Sequence, residues 1–286
     1  MNKFILGSGI EALLTRDLLG SDWKIVSPGK FNKNILIGEY LIYDERIDDY
    51  IFNLMGNKDI NYLYSAISVN GDLLYNNLFF NNYLSRIYNN DVTIYHISSV
   101  FKELVQVVYN HINIYRLYDT LSQKYTDITY SKNIKIQNHK LIIDNIEYEY
   151  DRIINTLPLH IFNKIFNMNI EHTSYDATIV LCGFSDEVES DVVYVLDAGI
   201  PFHKFMKWNG MYVLFFVGKI NEEPKIIYNI LHNLEIYSVY TIDNYYHEFN
   251  LVDHIDDDIY MVGRHARNDD AMTISDVVLN LMKLKA

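Results

Sequence analysis

The first thirty residues alternate between short apolar runs and one amphipathic segment. Lys3 to Leu6 is an apolar run typical of a buried parallel strand, and Trp23 to Val26 is a second one. Between them, Ile10 to Leu19 places its apolar side chains on one helical face, and Gly20 follows as a helix-ending residue. The pattern predicts a strand, a helix and a second parallel strand, which form the first half of a dinucleotide-binding unit.

The rest of the chain mixes helical and strand periodicities without an internal repeat or a linker rich in proline and glycine. Helices are predicted at Asp48–Met55, Phe79–Tyr88, Ser98–His111, Leu159–Phe166, Glu223–Tyr237 and Thr273–Leu284. Strands are predicted at Asp127–Gln137, His139–Tyr150, Arg152–Asn155, Ala177–Phe184, Val192–Leu196, Met211–Val217, Val239–Phe249 and Ile259–Val262. Asn138 is predicted to form a hairpin turn, and Gly263–Asp270 is predicted to be a loop.

The turn between the first strand and the helix fits the G-x-G-x-x-G/A pattern of dinucleotide-binding proteins. The first glycine allows a tight turn, the second leaves no Cβ between the backbone and a pyrophosphate, and the final alanine lets the helix pack close to the strand. The helix N-terminus then offers free N–H groups and a positive dipole to phosphate. The alternative is a purely structural turn. The candidate residues are Gly7, Ser8, Gly9, Ile10, Glu11 and Ala12.

The second strand lacks the acidic residue that usually holds the ribose hydroxyls in such a unit. Ser27 and Pro28 stand at that position, and a serine hydroxyl binds a ribose less strongly than a carboxylate does. Lys30 follows closely and could meet a phosphate, including the 2′-phosphate of a nicotinamide cofactor. We therefore include these three residues among the candidates for cofactor binding.

Composition narrows the classes of partner. The formal net charge is −13 and no run is rich in lysine or arginine, which argues against sequence-independent nucleic-acid binding. The single cysteine, Cys182, lies in an apolar strand pattern and excludes an internal disulfide or a cysteine-based zinc site. No apolar stretch is long enough to span a bilayer, and the N-terminal segment is not typical of a signal peptide, so we expect a cytoplasmic protein without membrane contact.

Other common motifs of catalytic, metal-binding or nucleotide-binding sites are missing from the sequence. It contains no H-E-x-x-H pair, no G-x-S-x-G elbow and no P-loop. The acidic stretch around His254, from Asp253 to Asp258, is typical of a solvated turn, so we predict no metal site.

Two later segments, YDRIINTLPL at 150–159 and DDIYMVGRHARNDDAMTISDVV at 257–278, are informative when taken together with the N-terminal glycines. In order and spacing they resemble FAD-dependent oxidoreductases of the amine-oxidase and UDP-galactopyranose-mutase type. In those enzymes a strand ending in Thr-x-Pro follows a β-hairpin, a late strand runs into Gly-Arg, and a final helix points its N-terminus at the flavin. The matching residues here are Thr156, Pro158, Gly263, Arg264 and, at the start of the last helix, Met272, Thr273 and Ile274.

The resemblance implies an α/β fold, in which a Rossmann-like FAD-binding domain carries a smaller α+β substrate domain. The FAD-binding domain would comprise residues 1–45, 91–174 and 250–286, and the substrate domain residues 46–90 and 175–249. The segment Ile200–Trp208 looks like one that carries a basic residue toward the active site. This similarity implies Lys204 and its neighbour His203 as catalytic candidates.

The same resemblance implies an oxidoreductase that acts on a small molecule, such as an amine, a nucleotide or a sugar nucleotide, as a homo-oligomer or with a partner enzyme. Two alternatives stay open. A degenerate relative would keep the fold without catalysis and serve as a structural or partner-binding subunit, and an NAD(P)-dependent reductase would use Lys30. A separate alternative for the late segment is that Arg264 and Arg267 form a surface loop in which they only balance nearby carboxylates. These are Asp256, Asp257, Asp258, Asp269 and Asp270.

Overall fold

The computed structural model describes residues 2–37, 40–42, 45–55, 61–69, 72–74, 108–183, 190–196, 200–220, 235–247, 252–267 and 274–285. Its helices are α1 (Ile10–Leu19), α2 (Asp48–Met55), α3 (Ile114–Lys124), α4 (Leu159–Phe166), α5 (Arg264–Arg267) and α6 (Ile274–Lys285), with 3₁₀ turns at Lys33–Leu36 and Glu45–Ile47. Within these ranges, no helix combines the length and the apolar character needed to cross a membrane.

Seventeen strands accompany the helices in the described ranges. They are β1 (Asn2–Leu6), β2 (Trp23–Ser27), β3 (Tyr40–Ile42), β4 (Asn61–Val69), β5 (Asp72–Leu74), β6 (Val108–Asn113), β7 (Thr129–Tyr130), β8 (Ile134–Gln137), β9 (Lys140–Ile143), β10 (Ile146–Asn155), β11 (Ser174–Gly183), β12 (Val192–Val195), β13 (Lys204–Trp208), β14 (Met211–Val217), β15 (Glu235–His247), β16 (His254–Asp256) and β17 (Ile259–Met261).

The chain divides into two compact units. Unit 1 comprises Met1–Ile60, Ile112–Thr173 and His247–Ala286, and unit 2 comprises Asn61–His111 and Ser174–Tyr246. The first boundary lies later than the Arg46 expected from the sequence. Ile47 and Ile51 are buried in the same core cluster as the apolar face of α1, so α2 packs within unit 1.

Unit 1 is built on a mainly parallel sheet with the strand order β16-β17-β10-β1-β2-β7. Ile5 of β1 lies in register between Ile154 of β10 and Ile25 of β2, and both pairings are parallel. The edge strand β16 runs antiparallel to β17. A hairpin of β8 and β9 extends from the N-terminal half of β10. The parallel core explains why these strands are continuous apolar runs, since both faces of the sheet are covered.

Helix α1 covers one face of this sheet. Its buried side chains Ile10, Leu13, Leu14 and Leu18 are the apolar stripe seen in the sequence, and they share a core with α3 and α6. Burying each such leucine contributes roughly 1.5–3 kcal/mol. The helix ends at Gly20, whose φ of +107° is accessible to glycine and whose N–H donates to the carbonyl oxygen of Arg16. The strand–helix–strand prediction is confirmed.

The second face of the sheet packs against α4 and the hairpin. Phe4, Val26 and Ile153 of the sheet are buried in one cluster with Phe162 of α4 and Leu141 of β9. The predicted helix Leu159–Phe166 is confirmed. The predicted hairpin is also present, with positive φ at Asn138 and His139 as a tight two-residue turn requires. A second turn of the same kind, at Asp144 and Asn145, splits the single strand predicted at His139–Tyr150.

Unit 2 contains a largely antiparallel sheet in which β15, β11, β14, β13, β12, β4 and β6 follow in that order, with β5 beside β4. The pairings β11–β14, β14–β13 and β13–β12 are antiparallel, whereas β12 and β4 are parallel. Val180, Val193, Leu214 and Phe216 lie at its core. The mixed sheet of unit 1 and this second sheet confirm the predicted α/β fold class.

Several predicted elements need correction. The predicted helix Ser98–His111 is wrong at its end, because Val108–His111 belongs to β6 and pairs with β4. Likewise Glu235–Tyr237, predicted as the end of a helix, opens the long strand β15. Both segments contain a β-branched residue and a tyrosine, which suit a strand once a partner strand is available. The helix predicted at Phe79–Tyr88 lies outside the described residues.

Candidate functional site

The loops that follow four neighbouring strands of unit 1 meet at the carboxyl ends of those strands, which we call the carboxyl edge of the sheet. From β1 the chain continues to β2 on one side, and later returns to β10 on the other, so the strand order reverses between β1 and β10. Leu6 at the end of β1 is in register with Asn155 of β10, which is in register with Met261 of β17. In open α/β sheets, ligands bind at the carboxyl ends of the strands where this reversal occurs.

Gly7 makes the sharp turn that follows β1. Its φ is +122°, a conformation that side chains other than glycine rarely adopt, and its N–H donates to the carbonyl oxygen of Val26. A Cβ on Gly7 would lie 2.3 Å from the hydroxyl oxygen of Thr156. That hydroxyl and the Thr156 N–H both donate to the carbonyl oxygen of Leu6, each at 2.8 Å. The two loops therefore lock together at the point where the strand order reverses.

Gly9 precedes the first residue of α1, and no side chain caps the helix there. Its carbonyl oxygen accepts the first helical hydrogen bond, from the N–H of Leu13. The leading N–H groups of α1 therefore carry the partial positive charge that favours an anion. A Cβ on Gly9 would lie 3.2 Å from the ring of Phe31 and 3.4 Å from a carboxylate oxygen of Glu11. The open face of Gly9 is thus lined by two side chains of the protein itself.

Gly263 follows β17 and approaches the same helix end. It has a φ of +101°, and a Cβ there would lie 2.8 Å from Cγ and 3.2 Å from Cδ of Glu11. The Glu11 side chain therefore packs against the backbone of Gly263 while its carboxylate lies beside Gly9. Ala12, the last residue of the glycine pattern, is fully buried, as close packing of helix and strand requires.

The position of the missing ribose carboxylate is occupied by a buried hydroxyl. Ser8 and Ser27 each donate a hydrogen bond to the carbonyl oxygen of Gly29, at 3.0 and 2.7 Å, and their hydroxyl oxygens lie 3.1 Å apart. Both serines are at least 95% buried. Their hydroxyls tie the glycine loop to the turn after β2. Pro28 is half-buried in that turn and Lys30 is exposed after it.

Asn155 is a structural residue of this edge that the sequence pattern did not single out. Its side chain is fully buried, accepts a hydrogen bond from the N–H of Leu157 and donates one to the carbonyl oxygen of Leu157. It thereby holds the bend between β10 and α4, where Pro158 is the residue before the helix. A polar residue at the end of an apolar run, two positions before Leu157, was the available signal.

The late Gly-Arg segment opens a short helix. Gly263–Asp270 was predicted to be a loop, but Arg264–Arg267 forms α5, and the Arg267 N–H donates to the carbonyl oxygen of Gly263. Arg264 lies at the first position of α5, with Nη2 3.4 Å from Nε2 of His265. Arg267 forms an ion pair with Asp253, a carboxylate that the surface-loop alternative did not name. Ile274 begins α6, and Met272 and Thr273 lie outside the described residues.

The two catalytic candidates lie in unit 2. His203 is buried just before β13, where its backbone N–H donates to the carbonyl oxygen of Phe215 and its carbonyl oxygen accepts from Val195. The Lys204 ammonium lies 3.9 Å from the centre of the Phe215 ring, a cation–π contact across the β13–β14 pair. No strand was predicted from the sequence at Lys204–Trp208, where the structure has β13.

The carboxyl edge of the unit 1 sheet offers both favourable and unfavourable groups to a dinucleotide such as FAD. The helix end without a side-chain cap and the close approaches at Gly7 and Gly263 suit a diphosphate, and Arg264 adds positive charge next to Gly263. The backbone therefore fits the group. Glu11 opposes it, because its carboxylate lies beside Gly9, where a phosphate would approach the helix.

No family model and no curated protein matches this sequence. Solved structures do match. A reduced UDP-galactopyranose mutase is 10% identical, with a TM-score of 0.62, and the match covers 99% of this chain and 93% of that one. An oxidoreductase from Methanosarcina mazei is 9% identical, with a TM-score of 0.66 and 99% coverage of both chains. Glycine oxidase from Bacillus cereus is 12% identical, with a TM-score of 0.59, and the match covers 99% of this chain and 94% of that one.

These matches confirm the fold that the glycine turn, the Thr-x-Pro bend and the Gly-Arg strand implied. The chain shares its fold with a UDP-galactopyranose mutase, an oxidoreductase and a glycine oxidase over 99% of its length. At identities of 9–12% the likeness concerns the fold alone, and activity has to be argued from the site.

Proposed function

We propose that the protein is an FAD-binding oxidoreductase of the amine-oxidase-like type. The observation that carries the proposal is the Gly7-Ser8-Gly9 turn, which begins α1 without a side-chain cap at the place where the strand order reverses. The shared fold with oxidases and a mutase supports it, since those proteins match this chain along nearly its whole length.

In this proposal the chain's own residues bind and orient the cofactor. The leading N–H groups of α1 and the guanidinium of Arg264 would bind the diphosphate, while Gly7 and Thr156 would fix the turn beneath it. The ribose end would be held less tightly, because the Ser27 hydroxyl already donates to Gly29. Bound FAD would supply a hydride acceptor, and the protein would supply position and charge.

We further propose a small amine, a nucleotide or a sugar nucleotide as substrate, with Lys204 and His203 as its contacts. An ammonium held against an aromatic ring keeps its charge in a defined place, which suits recognition of a substrate anion. Replacing Lys204 by Met retains most of the side-chain volume and removes the charge. We expect this variant to raise KM at least tenfold while FAD binding is unchanged, as measured by steady-state kinetics and flavin titration.

The cofactor is tested by purifying the full chain and recording its visible absorption. Bands near the usual flavin maxima, roughly 370 and 450 nm, and FAD released by heating are the expected result. Gly9→Ala places a methyl group in the path of the diphosphate, and Phe31 needs to move by only a few tenths of an ångström to admit it. We expect this variant to fold and to bind FAD at least tenfold more weakly. Gly210→Ala, a glycine substitution in a turn of unit 2, is the matched control.

A colourless protein that takes up no added FAD contradicts the proposal. The same holds if Gly9→Ala and Gly210→Ala bind FAD with equal affinity, because the diphosphate then lies elsewhere. Binding of NADPH in place of FAD, weakened by Lys30→Ala, would favour the nicotinamide-dependent reductase instead.

A second function is favoured by the side chains that line Gly9. The ring of Phe31 lies over the glycine and pairs with Tyr118, with ring centres 5.0 Å apart, and the ribose carboxylate is replaced by a hydroxyl bonded within the protein. These contacts suit a subunit that keeps the fold and serves a structural or partner-binding role. Uptake of FAD by the purified chain excludes this alternative, and its absence together with co-purification of one stoichiometric partner supports it.

A further inference from the structure

We propose that the Glu11 carboxylate is an internal anion that competes with the phosphate groups of the dinucleotide for the N-terminus of α1. Glu11 is therefore the residue that sets how tightly, and with what charge preference, the site binds. This inference rests on the proposed function, since it concerns the same helix end.

The contacts of Glu11 place its charge at the centre of the site. It is the second residue of α1, so its side chain lies within the first turn, where the positive end of the helix dipole acts. Its Oε2 lies 3.4 Å from the position of a Cβ on Gly9, and its Cγ lies 2.8 Å from that of a Cβ on Gly263. The carboxylate thus occupies the space between two glycines whose missing side chains are what a phosphate would use.

The negative charge of Glu11 is expected to weaken the binding of phosphate groups at the N-terminus of α1. A carboxylate in the first turn of a helix is stabilised by the same N–H groups that stabilise a bound phosphate. When a diphosphate binds, it meets a fixed like charge within a few ångströms, in a chain whose formal net charge is already −13. Removing this one charge should strengthen the binding of phosphate-bearing ligands and leave uncharged ligands unaffected.

A merely structural role for Glu11 predicts something different. The aliphatic part of the side chain fills the space over Gly263, and Gln has the same shape there. Glu11→Gln therefore keeps the packing and removes only the charge. If Glu11 acted by packing alone, this variant would bind ligands as the unmodified protein does.

The experiment compares the full chain with Glu11→Gln and with Glu149→Gln. Glu149→Gln is the control, because it removes the same charge from an exposed side chain of β10. Glu149 lies seven residues before Thr156, which places it about 23 Å from Thr156 at the ~3.3 Å rise per residue of a strand. Each protein is titrated calorimetrically with FAD, with ADP as a diphosphate without flavin, and with adenosine as an uncharged probe. We expect Glu11→Gln to bind FAD and ADP at least tenfold more tightly than the other two proteins, and adenosine equally.

Each outcome decides one or both proposals. If FAD binds all three proteins with equal affinity, the inference about Glu11 is overturned and the proposed function stands. If the unmodified protein binds neither FAD nor ADP but Glu11→Gln binds ADP, the inference is supported and the protein is not an FAD enzyme in its natural form. If Glu149→Gln tightens binding as much as Glu11→Gln, or if no protein binds any of the three ligands, the inference is wrong.

Discussion

Glycines with positive φ occur in both units, but the space around the missing side chain differs between the two units. In unit 1, Gly7 and Gly263 have φ values of +122° and +101°, and a Cβ on either would lie within 3 Å of another side chain. In unit 2, Gly210 and Gly218 have φ values of +76° and +84°, and a Cβ on either would meet no atom within 4 Å. The backbone requirement is similar, whereas the steric requirement differs.

This difference separates a local turn from a close approach between distant segments. Gly210 joins β13 to β14 and Gly218 follows β14, and at neither position does the missing side chain make room for another segment. Gly7 and Gly263 instead let segments far apart in sequence approach one another at the carboxyl edge of the unit 1 sheet. At these two glycines the missing side chain makes room for a distant segment, which the turns at Gly210 and Gly218 do not require.

The largest expected effect comes from Gly7→Ala. The substitution combines an unfavourable φ with an overlap at Thr156, so we expect a loss of about 4 kcal/mol in the free energy of unfolding. Thermal unfolding followed by circular dichroism should show a Tm lowered by about 10 °C, or no folded protein. The double variant Gly7→Ala, Thr156→Ala should recover part of the loss, because it removes the hydroxyl that the new methyl group strikes. A fall of less than about 1 kcal/mol in Gly7→Ala would show that the two loops do not need the close approach.

The next effect concerns buried polar groups that hold a bend. Asn155→Ala leaves the N–H and the carbonyl of the buried Leu157 without their side-chain partners, so we expect a loss of about 3 kcal/mol. Thr178→Val is the counterpart in unit 2, where the hydroxyl donates to Gly218 and accepts from Ile220. Gly218 and Ile220 are both half-exposed, so water can replace the hydroxyl as their hydrogen-bond partner. We therefore expect the free energy of unfolding to fall by only about 1 kcal/mol. Urea unfolding measures both, and equal losses would remove this distinction between the units.

A smaller effect is expected at the unit 2 turns. Gly210→Ala meets no atom and has only the left-handed backbone to oppose it, so it should cost about 1 kcal/mol. Gly210→Asn should cost less, since asparagine tolerates this conformation and the preceding Asn209 already has a φ of +49°. Urea unfolding of the two variants is the measurement. A loss as large as that of Gly7→Ala would mean that the turn has a packing role after all.

The last prediction concerns the chemical reactivity of the Cys182 thiol, which reports on burial and not on stability. Burial in the core of unit 2 raises the pKa of its thiol to about 11, so at pH 8 little thiolate is present. Iodoacetamide should therefore label the native protein slowly at pH 8, faster as the pH rises toward 11, and rapidly in urea. Mass spectrometry gives the extent of labelling, and rapid labelling of native protein at pH 8 would contradict the buried assignment.

Local patterns predicted those elements whose neighbours lie close in sequence. The helices Ile10–Leu19, Asp48–Met55 and Leu159–Phe166 were predicted with the bounds they have, because an apolar pattern of helical period indicates each one. Gly20 after the first and Pro158 before the third also mark an end of those two helices. The patterns failed at Val108–His111 and Glu235–Tyr237. Their apolar spacing suits a helix, and pairing with distant strands is what makes them β-structure.

The sequence by itself determined the strand–turn–helix at the N-terminus and the order of motifs that resembles the flavoproteins. It also identified Gly7, Gly9, Thr156 and Gly263 as residues of interest. Only the tertiary structure decided which atoms use those glycines: the Thr156 hydroxyl at Gly7, Phe31 at Gly9 and Glu11 at Gly263. The physical reason is that a glycine's φ and a helix's period are properties of a few neighbouring residues. Contacts between Gly263 and Glu11, separated by most of the chain, exist only because parallel strands bring their carboxyl ends to one edge.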